Sequence, residues 1–237
     1  MQKDNSLVSQ QLLLSVAEQM KLPLLQITRQ AELGSMGLQA NYLEIKALAE
    51  NAMQLIDGYS LGLRLNDTPG YNLVAESVSV ASVLYDACSQ LKAIARLYDV
   101  QLEMNISGKF GPVLVHKKGL LSAIIGLASA IIEAVPGHEF LDGEPLVQLA
   151  THRCRYGIVA GVYANIPGLN SEALRKGRKL YGLSRQPLVD ISHTSGAGIF
   201  VADSIFRSMK LKMQVSRHHR LYGLGVVIQP SSQMVLV

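Results

Sequence analysis

The feature that most constrains this chain is a pair of apolar seams near its start. Leu13, Ala17, Met20, Leu24, Ile27 and Ala31 recur alternately four and three residues apart, the spacing that lines up along one side of an α-helix. A second seam follows at Ile45, Leu48, Ala52, Leu55 and Tyr59. Between them the small, polar stretch GSMGLQAN (34–41) ends the first helix and turns the chain. The two seams predict an antiparallel helical hairpin. A hairpin alone leaves apolar surface in water, so a four-helix bundle built from two copies is the expected completion. Pro23 falls inside the first helix, where it removes one backbone donor and is expected to kink it.

Beyond residue 66 the pattern changes. NDTPGYN (66–72) sets proline beside glycine in polar surroundings and reads as a hinge. VASVLYDACSQLKAIARLYD (80–99) has the period of an amphipathic helix, and VQLEMNI (100–106) alternates like a strand. GPVLVH (111–116) reads as a strand, LLSAIIGLASAIIEAV (120–135) as a core helix, and residues 145–153 and 156–164 as a β-hairpin. GAGIFVADSIFRSM (196–209) then predicts a helix, followed by strands over 211–217 and 221–230. The order α-β-β-α-β-β-α-β-β implies an α+β sandwich. Three parts are expected: a dimerisation hairpin over 1–66, a hinge over 67–72 and the sandwich over 73–237.

Composition narrows the function classes. With 49% hydrophobic and 17% charged residues, the chain has ample material for a core and lacks the balance of a disordered protein. The net charge of +4 is modest, there is no Trp, and the basic residues are not interleaved with aromatic platforms, which argues against nucleic-acid binding. The apolar run at 120–135 is cut short by Glu133 and Pro136, below the ~20 residues a bilayer requires. The opening MQKDNSLVSQQ lacks the regions of a signal peptide. Cys88 and Cys154 have no metal-ligand spacing and read as buried thiols of a reducing compartment. No direct membrane insertion and a cytoplasmic location are expected.

In their order, LAENAMQLIDGYSLGLRLN (48–66), SVSVASVLYDACSQLKAIARLYDVQLEMNI (77–106) and SGAGIFVADSIFRSMKLKMQV (195–215) resemble the cytoplasmic core of a sensor histidine kinase. That core is a dimerisation and histidine-phosphotransfer hairpin followed by a Bergerat-type ATP-binding domain. The likeness covers nearly the whole chain, and it implies where the chemistry should sit. The family's phosphoacceptor motif reads H-E-x-x-x-P, and this chain reads EQMKLP. Aligning Pro23 places Glu18 at the histidine and Gln19 at the adjacent acid. Phosphotransfer needs a nucleophilic imidazole nitrogen, and all six histidines lie beyond residue 110. The asparagine that ligates Mg²⁺ falls at Gly126 or Ala130, neither of which offers an oxygen to a hard cation. The usual lysine falls at Glu133, which would repel phosphates.

The first glycine box, D-x-G-x-G, resembles YANIPGL (163–169). Ala164 replaces the aspartate that anchors adenine, Ile166 replaces the first glycine, and Gly168 remains. The second glycine box survives as Ser195, Gly196 and Gly198, whose backbone N–H groups at a helix start can face an anion. Lys176, Arg178 and Lys179 stand where the family's mobile ATP lid would be.

The resemblance with its losses implies a catalytically inactive, histidine-kinase-like protein. Its expected role is that of a dimeric signalling, regulatory or scaffold module with no cofactor. A second copy and a signalling protein such as a response regulator or a kinase are the expected partners. Two alternatives stand beside it. One is a nucleotide-binding or active kinase or ATPase that uses ATP and Mg²⁺ through non-standard residues. The other is a phosphorelay transfer protein, against which the missing hairpin histidine counts.

Overall fold

The computed structural model describes residues 2–67, 73–135, 144–165 and 193–230. Helices α1 (Gln2–Ser35) and α2 (Tyr42–Asp67) form the antiparallel hairpin, and α1 runs through Pro23 without a break in its helix. The turn works as the sequence requires. Gly37 takes a φ of 75°, and Asn41 caps α2 by accepting a hydrogen bond from the Glu44 backbone N–H at 3.1 Å. The α2 seam is buried as expected at Leu48, Ala52, Leu55 and Tyr59, with Ile45 half-buried.

On α1 the seam is only partly covered within one copy: Met20 is half-buried and Ile27 packs on the core. Leu13, Ala17, Leu24 and Ala31 are exposed, while Gln19 and Pro23 are buried and Val16 and Ile27 pack on the core. The helix is turned by a fraction of its circumference from the face that the apolar count selects. Its neighbours explain this: α1 lies against α2 and also against the helical layer of the sandwich. That second contact selects a face with one polar group, Gln19, for which a buried partner exists. The expected hinge begins inside α2, and residues 68–72 lie outside the described residues.

A short strand β1 (Glu76–Val78), too brief for its period to be read, pairs with β3 (Val113–Val115). Helix α3 (Val80–Leu97) follows, capped by the Ser79 hydroxyl, and buries Val83, Leu84, Ala87, Leu91 and Ile94 along one side. Helix α4 (Lys117–Ala134) starts with the His116 Nδ1 accepting from the Gly119 N–H at 2.9 Å. It is buried almost all round, so the apolar run at its centre is a core helix. Helix α5 (His193–Ser208) lies beside it. Beneath the helices lies a sheet of β2 (Gln101–Ile106), β4 (Leu146–Cys154), β5 (Gly157–Ala164), β6 (Met213–His218) and β7 (Leu221–Ile228), ordered β2-β4-β5-β7-β6. Strands β2 and β4 are parallel and the other pairs antiparallel. The fold is an α+β sandwich of the Bergerat ATP-binding type preceded by the hairpin. Both cysteines are free, Cys88 buried and Cys154 half-buried rather than buried. Among the described residues no helix is long and apolar enough to cross a membrane.

The sheet is strongly coiled. His152 pairs with Val159 near one end of the strands, and His218 pairs with Leu221 near the other, with β5 and β7 between β4 and β6. Their rings nevertheless stack with centroids 5.3 Å apart, and Tyr163 reaches Ser216 Oγ at 3.3 Å on the same side. Opposite corners meet only if the sheet curls about its diagonal. Glycines permit the curl: a Cβ at Gly161 would stand 2.7 Å from the Leu224 carbonyl oxygen, and one at Gly223 would run into the Val162 carbonyl. Gly223→Ala should therefore destabilise the protein by roughly 1–3 kcal/mol. Gly111→Ala, where nothing lies within 4 Å, should change stability by less than about 0.5 kcal/mol. Urea unfolding of the two variants checks the contrast, and equal midpoints would refute the coiled-sheet account.

Candidate functional site

Residues 18–23 of α1 divide between its two sides. Glu18 is exposed and pairs with Lys21 one turn on, Nζ to Oε1 at 2.6 Å. A surface pair of this kind contributes little to stability. No imidazole stands here, and the carboxylate faces solvent rather than the sandwich. Gln19 points the other way and is 4% exposed. Its Nε2 donates to Glu133 Oε2 at 2.8 Å, and its Oε1 accepts from the Tyr59 hydroxyl at 2.8 Å. Pro23, one turn further, is buried on the same side.

Glu133 lies at the C-terminal end of α4, half-buried, with Gln19 of the hairpin on its carboxyl. Burial is the main influence on its carboxyl and pushes it up to about 8, against the smaller opposing effect of the Gln19 hydrogen bond. Tyr98, after α3, is held well above the usual phenol range by burial and secondarily by the Glu133 charge. Glu133 thus occupies the position expected of a basic residue, and it is engaged by the hairpin instead of facing a phosphate. The sequence marks both Gln19 and Glu133 as departures from the histidine-kinase pattern it resembles. Their partnership, 114 residues apart, has no signature in either local motif.

The expected metal position is an intimate helix crossing. Gly126 and Ala130 face α5, and a Cβ built on Gly198 would stand 2.8 Å from the Gly126 carbonyl oxygen and 2.9 Å from the Ala130 Cβ. Small residues at all three positions let the backbones of α4 and α5 touch. Two expected sites, the metal position on α4 and the second glycine box on α5, are therefore brought together and fill one another. Ser195 and Gly196 belong to the first turn of α5. Ala164 ends β5, 2% exposed, between Val147 and Tyr222, with only a methyl group where an adenine anchor would be. Ile166, Gly168 and the basic cluster Lys176, Arg178 and Lys179 lie outside the described residues.

Mg²⁺-ATP does not fit the described residues at these positions. Its metal requires oxygen ligands, and Gly126 and Ala130 supply none. Beside Ala130 the α5 backbone closes in at Gly198, and the Glu133 carboxyl is bonded to the hairpin. Among the described residues no cluster of three or more His, Cys, Asp or Glu side chains is arranged to hold a metal ion.

No protein-family model matches the sequence, and no curated protein matches it. Solved structures do. The histidine kinase AdeS of Acinetobacter baumannii aligns over 87% of this chain and 94% of its own, at 13% identity and a TM-score of 0.50. Histidine kinase ThkA, solved with the response regulator protein TrrA, aligns over 92% of this chain and 61% of its own, at 12% identity and a TM-score of 0.53. Full-length ShkA, solved with AMPPNP, aligns over 79% of this chain and 38% of its own, at 14% identity and a TM-score of 0.53. At such identities the likeness speaks for the fold, and the fold of this chain is that of a histidine kinase cytoplasmic core.

Proposed function

We propose that this chain is a histidine-kinase-like signalling module that does not transfer phosphate and acts as a dimeric regulatory or scaffold protein. The observation that carries the first half is the crossing of α4 and α5 at Gly126, Ala130 and Gly198. Neither α4 residue there offers the oxygen ligand that a Mg²⁺-bridged triphosphate requires. The solvent-facing Glu18, held by Lys21 where the fold would present its phosphoacceptor, supports the same reading. The dimer is argued from surface that the chain leaves uncovered. Leu13, Leu24 and Leu25 on α1 are 60%, 48% and 65% exposed, and Met53 and Ile56 on α2 are 56% and 39% exposed. Apolar side chains along both helices of one hairpin are suited to a second hairpin, which buries them as a four-helix bundle. The further partner is a signalling protein, either a response regulator, as in the ThkA complex, or a kinase.

Incubation with labelled ATP and Mg²⁺ should leave no acid-labile phosphate on the protein. Labelling that disappears in Glu18→Ala would overturn the proposal. Calorimetry should give an ATP affinity no better than about millimolar with Mg²⁺ present. A low-micromolar constant would favour a nucleotide-regulated protein instead.

Light scattering at micromolar concentration should give a dimer, and Leu24→Glu should shift it to monomer by placing an unpaired charge in the interface. A wild-type monomer would refute the bundle.

A further inference from the structure

Three stretches of backbone converge at the end of the sheet that carries the β4–β5 turn. Residues 107–112 lead from β2 to β3, the turn joins Cys154 to Gly157, and the chain beyond β7 brings Pro230 against Val113. Between them lies an open depression of about 560 Å³, lined by Phe110, Arg153, Cys154, Arg155, Tyr156 and Gln229. Its walls are set by backbone. Gly157 takes a φ of 144°, and a Cβ there would run into the Ile228 carbonyl, so the turn is pinned against β7. Gly108 takes a φ of 120°, and a Cβ there would meet the Phe110 ring at 3.4 Å, which places that ring back over its own connection.

The charge at this end is of one sign. Neither aspartate nor glutamate occurs in residues 104–132, 145–171 or 204–237, the stretches that supply it. Lys109, Arg153, Arg155 and Lys212 are all exposed there. Among the described residues no carboxylate forms an ion pair with Arg153 or Arg155. The Arg155 guanidinium lies over the Tyr156 ring, 5.8 Å from its centroid, which favours a position at the rim. Unopposed cations of this kind draw anions, and guanidinium forks match a carboxylate.

We propose that this depression binds a small aromatic carboxylate, with the carboxylate held by Arg153 and Arg155 and the ring laid against Phe110 and Tyr156. The volume falls in the range of small-molecule sites, roughly 300–1,000 Å³. A bare inorganic anion would leave the aromatic walls unused, and an uncharged ring would leave two guanidinium groups without a counter-charge. The site lies apart from the region where the fold would hold a nucleotide, because β5 runs from Gly157 at the depression to Ala164 at the far end of the sheet. Binding here is independent of whether the chain transfers phosphate.

The test uses the full chain and 2-naphthoate, with 2-naphthamide as its uncharged counterpart and acetate as a carboxylate without a ring. Cys154 reports occupancy, since it is half-buried in the depression while Cys88 is buried on α3. Saturating 2-naphthoate should slow alkylation of Cys154 by iodoacetamide, with the modified residue identified by peptide mass. Calorimetry should rank 2-naphthoate above both 2-naphthamide and acetate by about tenfold or more. Arg153→Gln and Arg155→Gln, at exposed turn positions that the fold does not depend on, should each weaken 2-naphthoate by about tenfold. Phe110→Ala should weaken it as well, and Arg96→Gln, at an exposed position on α3, should change nothing. Absence of saturable binding, equal affinity for the acid and its amide, or equal losses in Arg96→Gln and the two turn variants would overturn the proposal.

Discussion

Everything in this molecule is arranged around a helix that has no polar side. From Gly119 to Ile132 almost every residue of α4 is buried, so the helix must be covered on all sides to keep its apolar surface from water. The sheet covers one side, and α3 and α5 flank it. That leaves the direction from which the hairpin approaches. Contact of α2 with α4 and α5 is thus a requirement of α4's composition as much as a property of the hairpin. The reorientation of α1 follows from the same requirement. Its inward side, Val16, Gln19, Pro23 and Ile27, is the one that completes the covering.

The fold was legible in the sequence because its elements have long and distinct periods. The seam of α2, the amphipathic α3, the alternation of β2 and the apolar run of α4 each identify one element, and their order leaves few topologies. What escaped has physical reasons. Strand β1 is three residues long, shorter than any period that can be counted. The side of α1 that turns inward depends on which helix it meets: Gln19 lies on it with a partner in Glu133, while Leu13 and Leu24 stay on the exposed side. The stacking of His152 on His218 depends on the coil of the whole sheet, which the separate positions of Gly161, Gly223 and Gly225 did not reveal.

The candidate site was legible in a different sense. Motif positions at Glu18, Gly126, Ala130 and Ala164 marked where expected side chains are missing, and the fold places Gly126 and Ala130 together with Gly198. A list of losses does not say what the positions do instead. The geometry shows that the altered residues have acquired partners: Gln19 meets Glu133, and the small residues on α4 receive Gly198. Gln19 and Glu133 both depart from the resembled pattern, whereas Gly198 keeps it, and both contacts are close, as packing at interior density demands.

The α4–α5 crossing also bears on how such a chain can change over generations. With Gly198 seated against Gly126 and Ala130, the Cβ of any side chain introduced at Gly198 stands 2.8 Å from the Gly126 carbonyl oxygen and 2.9 Å from the Ala130 Cβ. Overpacking of that kind is costly by itself. A larger residue at Gly198 would first require α4 and α5 to separate, and nothing in a single substitution there favours that movement. The contact works as a ratchet at this one position: it holds the glycine once present and obstructs its replacement, so change elsewhere along the two helices is channelled around a fixed point of contact.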